Sequence, residues 1–197
     1  GECGGDAVYD DCGVCDGNDS SCNQPVAFYA TVSTDEDNAV NVILEGSDPN
    51  GDEIEFSIVS EPLSGSLSGN APDVTYTPNG DFNGTDSFSF VVSDGIWTSV
   101  VGVVTVIVNP INDAPLISEV EDQVINEDGT LSINLFASDV DGDDISFEAS
   151  VGDDASFELN DNALTVSPNE NFNGSIEVSI TATDGELSDS DTFILTV

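Results

Sequence analysis

The stretch EGSDPNGDEIEFSI (residues 45–58) returns as FASDVDGDDISFEA (residues 136–149), and TPNGDFNGTDSFSFVVSDG (residues 77–95) returns as SPNENFNGSIEVSITATDG (residues 167–185). Glu36 of TDEDNAV answers Glu127 of INEDGTL. The offset is 91 residues for Glu36/Glu127 and Asp48/Asp139 but 90 for Phe82/Phe172 and Asp94/Asp184, so one residue is gained or lost between. A period of about 90 residues is that of a domain, not of a solenoid unit.

Each copy reads as β. Val40, Val42 and Leu44 alternate with polar residues, as do Ile54, Phe56 and Ile58, then Phe88, Phe90 and Val92, and in the second copy Val178, Ile180 and Ala182. Period two marks a strand with one buried face. Asn-Gly pairs at 50–51, 79–80, 83–84 and 173–174 supply turns. No segment has sustained helical periodicity, so the expected fold class is all-β, with two tandem two-sheet sandwiches. The prolines of VNPINDAPLI (residues 108–117) fix φ and remove donors, which predicts a short, stiff connector. The expected modules are 1–24, 25–110 and 111–197.

Charge is the second constraint. The chain has 40 Asp and Glu and no Lys, Arg or His, where average usage would place roughly two dozen Lys and Arg. Net charge this high favours disorder, but 38% hydrophobic residues in strand-like alternation exclude it for most of the chain. General acidity for solubility or high salt explains a negative surface but not acids at repeated positions. SDVDGDD (residues 138–144) holds Asp139, Asp141, Asp143 and Asp144. Two carboxylates ~4 Å apart repel by about 1 kcal/mol in water and about 4 at an intermediate dielectric. A bound divalent cation would relieve such a cluster. Asp139 and Asp141 leave opposite faces of an extended strand, so they converge only if the segment turns, as Gly142 permits. The loop read alone is equally a polar hairpin turn.

The missing cationic side chains exclude nucleic acid as a partner and anionic membrane surfaces too. They also leave trypsin-like proteases no site and Lys–Asn isopeptide bonds no donor. No run of 18 apolar residues exists, so no membrane insertion by a helix is expected. With no Met, no signal peptide and a start at Gly1, the chain reads as a processed product or an excised segment.

Across residues 25–197 the chain resembles tandem cadherin-like repeats of bacterial surface proteins. The marks are the upstream Glu, the SDxDGD-type loop, the PNxxFNG turn, the late DG and the NDAP linker, in the same order in both copies. The resemblance implies seven-stranded Greek-key sandwiches with calcium as cofactor between successive domains. Carried over residue by residue, it implies an interdomain calcium set of Glu36 from the upstream domain, Asn109, Asn112 and Asp113 from the linker, and Asp139, Asp141 and Asp184 from the downstream domain. The family's mid-domain acidic DxE motif is absent. NGDFNGT stands there, with Asp81 the acid placed to substitute. Calcium takes six to eight hard oxygens at about 2.3–2.6 Å, which carboxylates and amide carbonyls supply.

All four Cys lie in the first 22 residues, at Cys3, Cys12, Cys15 and Cys22. The segment GECGGDAVYDDCGVCDGNDSSC resembles short Cys-, Gly- and Asp-rich extracellular motifs, which usually have one more Cys just upstream. A small disulfide-stapled head in an oxidising compartment is expected, with three pairings open. Zinc at Cys12-Gly-Val-Cys15 is the rival reading, weakened by the absence of His. Asp16 and Asp19 could share a calcium ion with the first sandwich's Asp48, Asn50 and Asp94.

Asn83, Asn173 and Asn18 sit in glycosylation sequons, the first two at equivalent Asn-Gly turns where the backbone alone accounts for Asn. Trp97 reads as a core or strand-covering residue. Without His, Lys or Arg, nothing activates a nucleophile or stabilises an oxyanion, so no enzymatic activity is expected. The paired acids by themselves are a weak case for glycoside cleavage. The expected function is a calcium-stiffened extracellular or cell-surface structural protein, either part of a longer stalk or a filament subunit assembled head-to-tail. Its partner would be another copy of itself or neighbouring repeats. In the filament, Glu127 would take part in an intersubunit calcium site completed by Asp6, Asp10 and Asp11 of the next copy. The alternative is an adhesin that recognises carbohydrate or a surface receptor.

Overall fold

The computed structural model describes residues 24–197. The Cys-rich head, with its expected disulfides, its zinc alternative and Asp6, Asp10, Asp11, Asp16, Asn18 and Asp19, lies outside the described residues. Among the described residues there is no helix, and so none long and apolar enough to cross a membrane. Two compact units meet at a boundary between Ile111 and Asn112.

The first unit contains β1 (Val26–Ala27), β2 (Ala30–Asp35), β3 (Val40–Ile43), β4 (Gly46–Ser47), β5 (Glu55–Ser60), β6 (Gly65–Asn70), β7 (Asp73–Pro78), β8 (Gly84–Ser93) and β9 (Gly102–Asn109). One sheet has the order β2-β9-β8-β5, the other β3-β7-β6, and β1 pairs with β4. Only β2 and β9 run parallel, with Ala30 beside Val104. Four strands over three, with chain neighbours split between sheets, is the Greek-key sandwich of immunoglobulin-like domains.

The second unit repeats the plan with β10 (Leu116–Ile117), β11 (Gln123–Val124), β12 (Leu131–Asn134), β13 (Ala137–Ser138), β14 (Ser146–Val151), β15 (Ala155–Asn160), β16 (Ala163–Pro168), β17 (Ser175–Thr183) and β18 (Ser188–Thr196). Its sheets are β11-β18-β17-β14 and β12-β16-β15, with β10 on β13.

The one-residue change of offset has a structural cause. Ile58 pairs with Phe90 and Ser60 with Ser89, so Val59 is an extra residue in a β-bulge. In β14 the equivalent run pairs without interruption from Ser146 to Val151. A second irregularity lies in the β8–β9 connection. Phe90 pairs with Gly102, while an isolated bridge joins Ser93 to Thr98. The two pairings cannot belong to one register, and the buried Ser99 fills the gap by accepting the Val92 N–H at its Oγ. The β17–β18 hairpin pairs evenly from Thr183/Ser188 onward.

The alternating residues build the cores. Phe88, Phe90, Val92, Val104 and Val106 are fully buried in the first, and Val178, Ile180, Ala182, Phe193 and Leu195 in the second. The cross-strand pair Phe88/Val104 becomes Val178/Phe193. The ring has moved to the neighbouring strand and the pair's volume is kept, the exchange that cores tolerate best.

A second exchange involves polarity. Tyr76 is fully buried and its hydroxyl donates to Asp86 Oδ2 at 3.0 Å. Asp86 also accepts from the N–H groups of Leu63, Ser64 and Ser87 at 3.1, 2.8 and 2.8 Å. Burial works to raise the Asp86 pKa, but these four donors outweigh it and hold the carboxyl below its ordinary value. Burial, then the neighbouring Asp86, pushes the Tyr76 phenol up to about 12. The second unit has Val166 and Ile176 at these positions, both buried and neither needing a partner.

Candidate metal-binding loops

Two loops of the same design precede β5 and β14. In the second domain, Asp139 Oδ1 accepts the N–H groups of Asp141, Gly142 and Asp143 at 2.9, 3.0 and 3.2 Å. Three consecutive amides aimed at one oxygen require a tight turn, and Gly142 adopts φ +82° to close it. The expected convergence of Asp139 and Asp141 is therefore produced by the first carboxylate gripping the backbone that carries the second. Each of Asp139, Asp141 and Asp143 presents one carboxylate oxygen, and these oxygens lie within 4.8 Å of one another. Asp139 Oδ2 points away from the amides, is shielded from solvent, and has no hydrogen-bond partner.

The loop of the first domain copies this frame. Asp48 Oδ1 accepts from Asn50, Gly51 and Asp52 at 3.0, 3.0 and 3.2 Å, Gly51 has φ +86°, and Asp48 Oδ2 is likewise shielded and unpartnered. The difference is Asn50 in the place of Asp141. Its Nδ2 donates to Asp52 Oδ2 at 2.8 Å, so this loop satisfies part of its own negative charge.

The rest of the second domain's set is held by its leading segment. Asn112 Nδ2 donates to Asp184 Oδ2 at 2.9 Å, and the Asp113 N–H donates to Asp141 Oδ2 at 2.8 Å. Asp184 Oδ1 accepts from Glu186 and Leu187. The Leu187 amide, then that of Glu186 and the Asn112 side chain, hold the Asp184 carboxyl below the usual carboxylate range. Asp94 is held down in the same way, chiefly by Trp97 and also by Ile96. Both carboxylates stay ionised and aimed by the tight turn they cap.

In the first domain, Glu36 is 3% exposed. Its carboxylate accepts the Ile111 N–H at Oε1 and Asn83 Nδ2 at 3.4 Å at Oε2, while its own N–H donates to the Asn109 carbonyl. Asn109 Nδ2 is engaged by Asp35 Oδ1 at 3.0 Å. Asp81 sits at φ 58° with its N–H on Asp37 Oδ1 at 3.2 Å. Asp37 is thus an acid the sequence reading passed over, although its counterpart Asp128 receives the Asn171 N–H at 3.1 Å. The repeated acid after Glu36 and Glu127 was the available signal. Glu127 itself is exposed. Asp143 was noticed in its cluster but left out of the expected set.

Three further expectations meet the structure here. The turn before β8 closes with the Phe82 N–H on the Asn79 carbonyl, so Asn83 follows that turn and Gly84 begins the strand. The Asn83 amide is tied to Glu36. Trp97 is not a core residue: it is 39% exposed, as Leu187 in the same place of the second domain is at 42%.

A sequence profile of the bacterial Ig domain family matches residues 22–107 and 112–196. The chain belongs to that family, as two tandem copies. It is 26% identical over 194 residues to chitinase A of Pseudoalteromonas piscicida, covering 97% of this chain and 23% of that protein. It therefore spans about a quarter of the length of this curated relative. Among solved structures, human protocadherin-24 EC1-2 is similar over 88% of this chain and 98% of its own, at 15% identity and a TM-score of 0.57. Human mucin-like protocadherin EC1-2 matches over 89% and 98%, at 19% identity and a TM-score of 0.48.

Proposed function

We propose that this chain is a calcium-stiffened extracellular structural module, a spacer in a stalk or filament. The observation that carries the reading is the loop at residues 139–143: three convergent carboxylate oxygens within 4.8 Å, a shielded Asp139 oxygen with no donor, and a chain that encodes no cationic side chain. The donor set fits calcium, since every ligand is a hard oxygen and Asp139 is pre-aimed by its amide grip. Bound there, the ion would supply the counter-charge. Asp139, Asp141 and Asp143 hold it, and the Asn112 and Asp113 contacts keep Asp184 and Asp141 in place.

We further propose that Glu36, Asp81, Asn109, Asn112 and Asp113 join Asp139, Asp141 and Asp184 in one interdomain set, as the cadherin-like resemblance implies. Asp48, Asn50 and Asp94 would form a second set with Asp16 and Asp19. Glu127 would serve a contact with the next copy in a head-to-tail filament. A rod needs its joints fixed, and carboxylates that repel without metal and share it when it is present supply that control.

Titration calorimetry and melting with calcium against chelator test the reading. At a hundred times its dissociation constant, a ligand that binds only the native state adds about 2.7 kcal/mol of stability. Glu36→Gln is expected to weaken binding while Glu127→Gln leaves the isolated chain's binding unchanged. Superimposable melting curves with and without calcium would remove the proposal.

The alternative, a carbohydrate-recognising module, is favoured by the match of nearly the whole chain to part of a chitinase. Retention on chitin or another insoluble glycan, independent of calcium, would select it.

A further inference from the structure

Four Asn-Gly pairs stand in this chain, at residues 50–51, 79–80, 83–84 and 173–174. Asparagine before glycine can lose its amide without an enzyme. The glycine nitrogen attacks the Asn Cγ, ammonia leaves, and the resulting succinimide takes up water at either carbonyl to give aspartate or β-linked isoaspartate. The step needs a glycine N–H that is not held elsewhere and an Asn side chain free to swing over it. Three of the pairs lack one or both. The Gly51 N–H is held by Asp48 Oδ1 at 3.0 Å, and Asn50 Nδ2 donates to Asp52. The Gly174 N–H donates to the Val197 carbonyl at 3.1 Å. Gly84 stands opposite Val108 in the equivalent place of the first domain's ladder, and Asn83 Nδ2 is tied to Glu36. Asn79-Gly80 differs. Both residues are exposed, and neither the Asn79 side chain nor the Gly80 N–H makes a hydrogen bond among the described residues.

We propose that Asn79 is the site at which this chain ages by deamidation, and that the fold selects it from four pairs alike in local sequence. The turn does not need the glycine that makes Asn79 reactive. At residues 79–82 the left-handed position is Asp81, at φ 58°, and Gly80 lies outside that region. The second domain makes the same turn with Glu170 before Asn171, at φ 59°. There Asn169 Nδ2 is occupied by the Asp153 carbonyl at 2.9 Å. A side chain at residue 80 would also have room: a Cβ there lies 4.0 Å from Asp37 Oδ1, the nearest atom beyond the adjoining residues. The product changes the corner that the turn builds. Isoaspartate routes the main chain through one more carbon and turns the carbonyl that accepts the Phe82 N–H into a free carboxylate. The Asp81 N–H that meets Asp37 follows directly after. Ageing therefore loosens this turn in the first domain, while the second, with no Asn-Gly pair in its turn, keeps its own.

The full chain is aged at neutral pH and digested in mild acid, and fragment mass spectra locate each exchange of amide for acid. Asn79 is expected to convert about tenfold faster than Asn50, Asn83 or Asn173, the factor set by first breaking an amide hydrogen bond. In urea, where no amide is held, the four should approach one rate. Gly80→Ala, which the open space admits, should slow Asn79 to the pace of the protected pairs. Amide exchange reads the consequence. It should speed at Asp81 and Phe82 in aged chain enriched in isoaspartate, but not in Asn79→Asp, which has the new charge without the longer backbone. A native chain in which another of these pairs converts as fast as Asn79 overturns the proposal, as does a ranking that urea leaves unchanged. Exchange at Asp81 that is equal in aged and fresh chain overturns the loosening.

Discussion

Gly65 shows how closely one residue is bound to another that is distant in sequence. A Cβ built there would lie 2.5 and 2.6 Å from the ring of Tyr76, and the ring, locked by burial and by Asp86, has nowhere to go. The second domain has Ala155 in this place, opposite Pro168 as Gly65 is opposite Pro78, and Val166 where the ring would be. Gly65→Ala is expected to destabilise the first domain by about 1–3 kcal/mol, the usual cost of overpacking. The triple change Gly65→Ala, Tyr76→Val and Asp86→Ile, which installs the second domain's solution, should recover most of it. Urea unfolding followed at Trp97 measures both.

Asp86 also sets a pH dependence. Its folded pKa lies below its ordinary value of 3.8, so the folded state binds its proton less readily than the unfolded chain does. The stability it contributes is present above the unfolded value and is lost as pH falls through the folded one. The melting temperature of the first domain should therefore drop as pH is lowered from about 5 into that range. With Asp86→Asn, part of the drop should disappear. An unchanged pH profile in the variant would mean that other acids carry it.

At the level of elements, the two insertions of the first domain have opposite characters. Val59 is exposed and unpaired in its bulge. Deleting it should restore the even ladder that β14 already makes with β17, with cooperative unfolding retained and a stability change within about 1 kcal/mol. The β8–β9 irregularity is different, since the buried Ser99 hydroxyl replaces a ladder partner for the Val92 N–H. Ser99→Ala leaves that amide unsatisfied and is expected to cost about 1–3 kcal/mol, read from the same unfolding curves.

For the whole molecule, 40 acids and no internal cation make self-repulsion the leading electrostatic term. In chelator, the melting temperature should rise with sodium chloride up to about 0.15 M, where the Debye length falls to about 8 Å, and then flatten. Saturating calcium should raise it further and make it less sensitive to salt. A calcium effect no larger than that of an equal ionic strength of sodium would show screening without specific sites.

The strand positions, the duplication and the acidic loops were all legible in the chain, because alternation, period and acid spacing are properties of a line of residues. That Asp139 would turn back on the three amides after it also follows locally, from Asp and Gly at the right spacing. What only the folded structure decided is pairwise and long-range. The Phe88/Val104 pair answers Val178/Phe193, Gly65 clears a ring eleven residues on, Asp37 meets Asp81 across a loop, and a single added valine becomes a bulge. Each depends on which distant side chain fills the facing space, and a sequence displays only one partner at a time. Close packing makes the choice, because a buried position with fixed neighbours accepts one volume and one polarity.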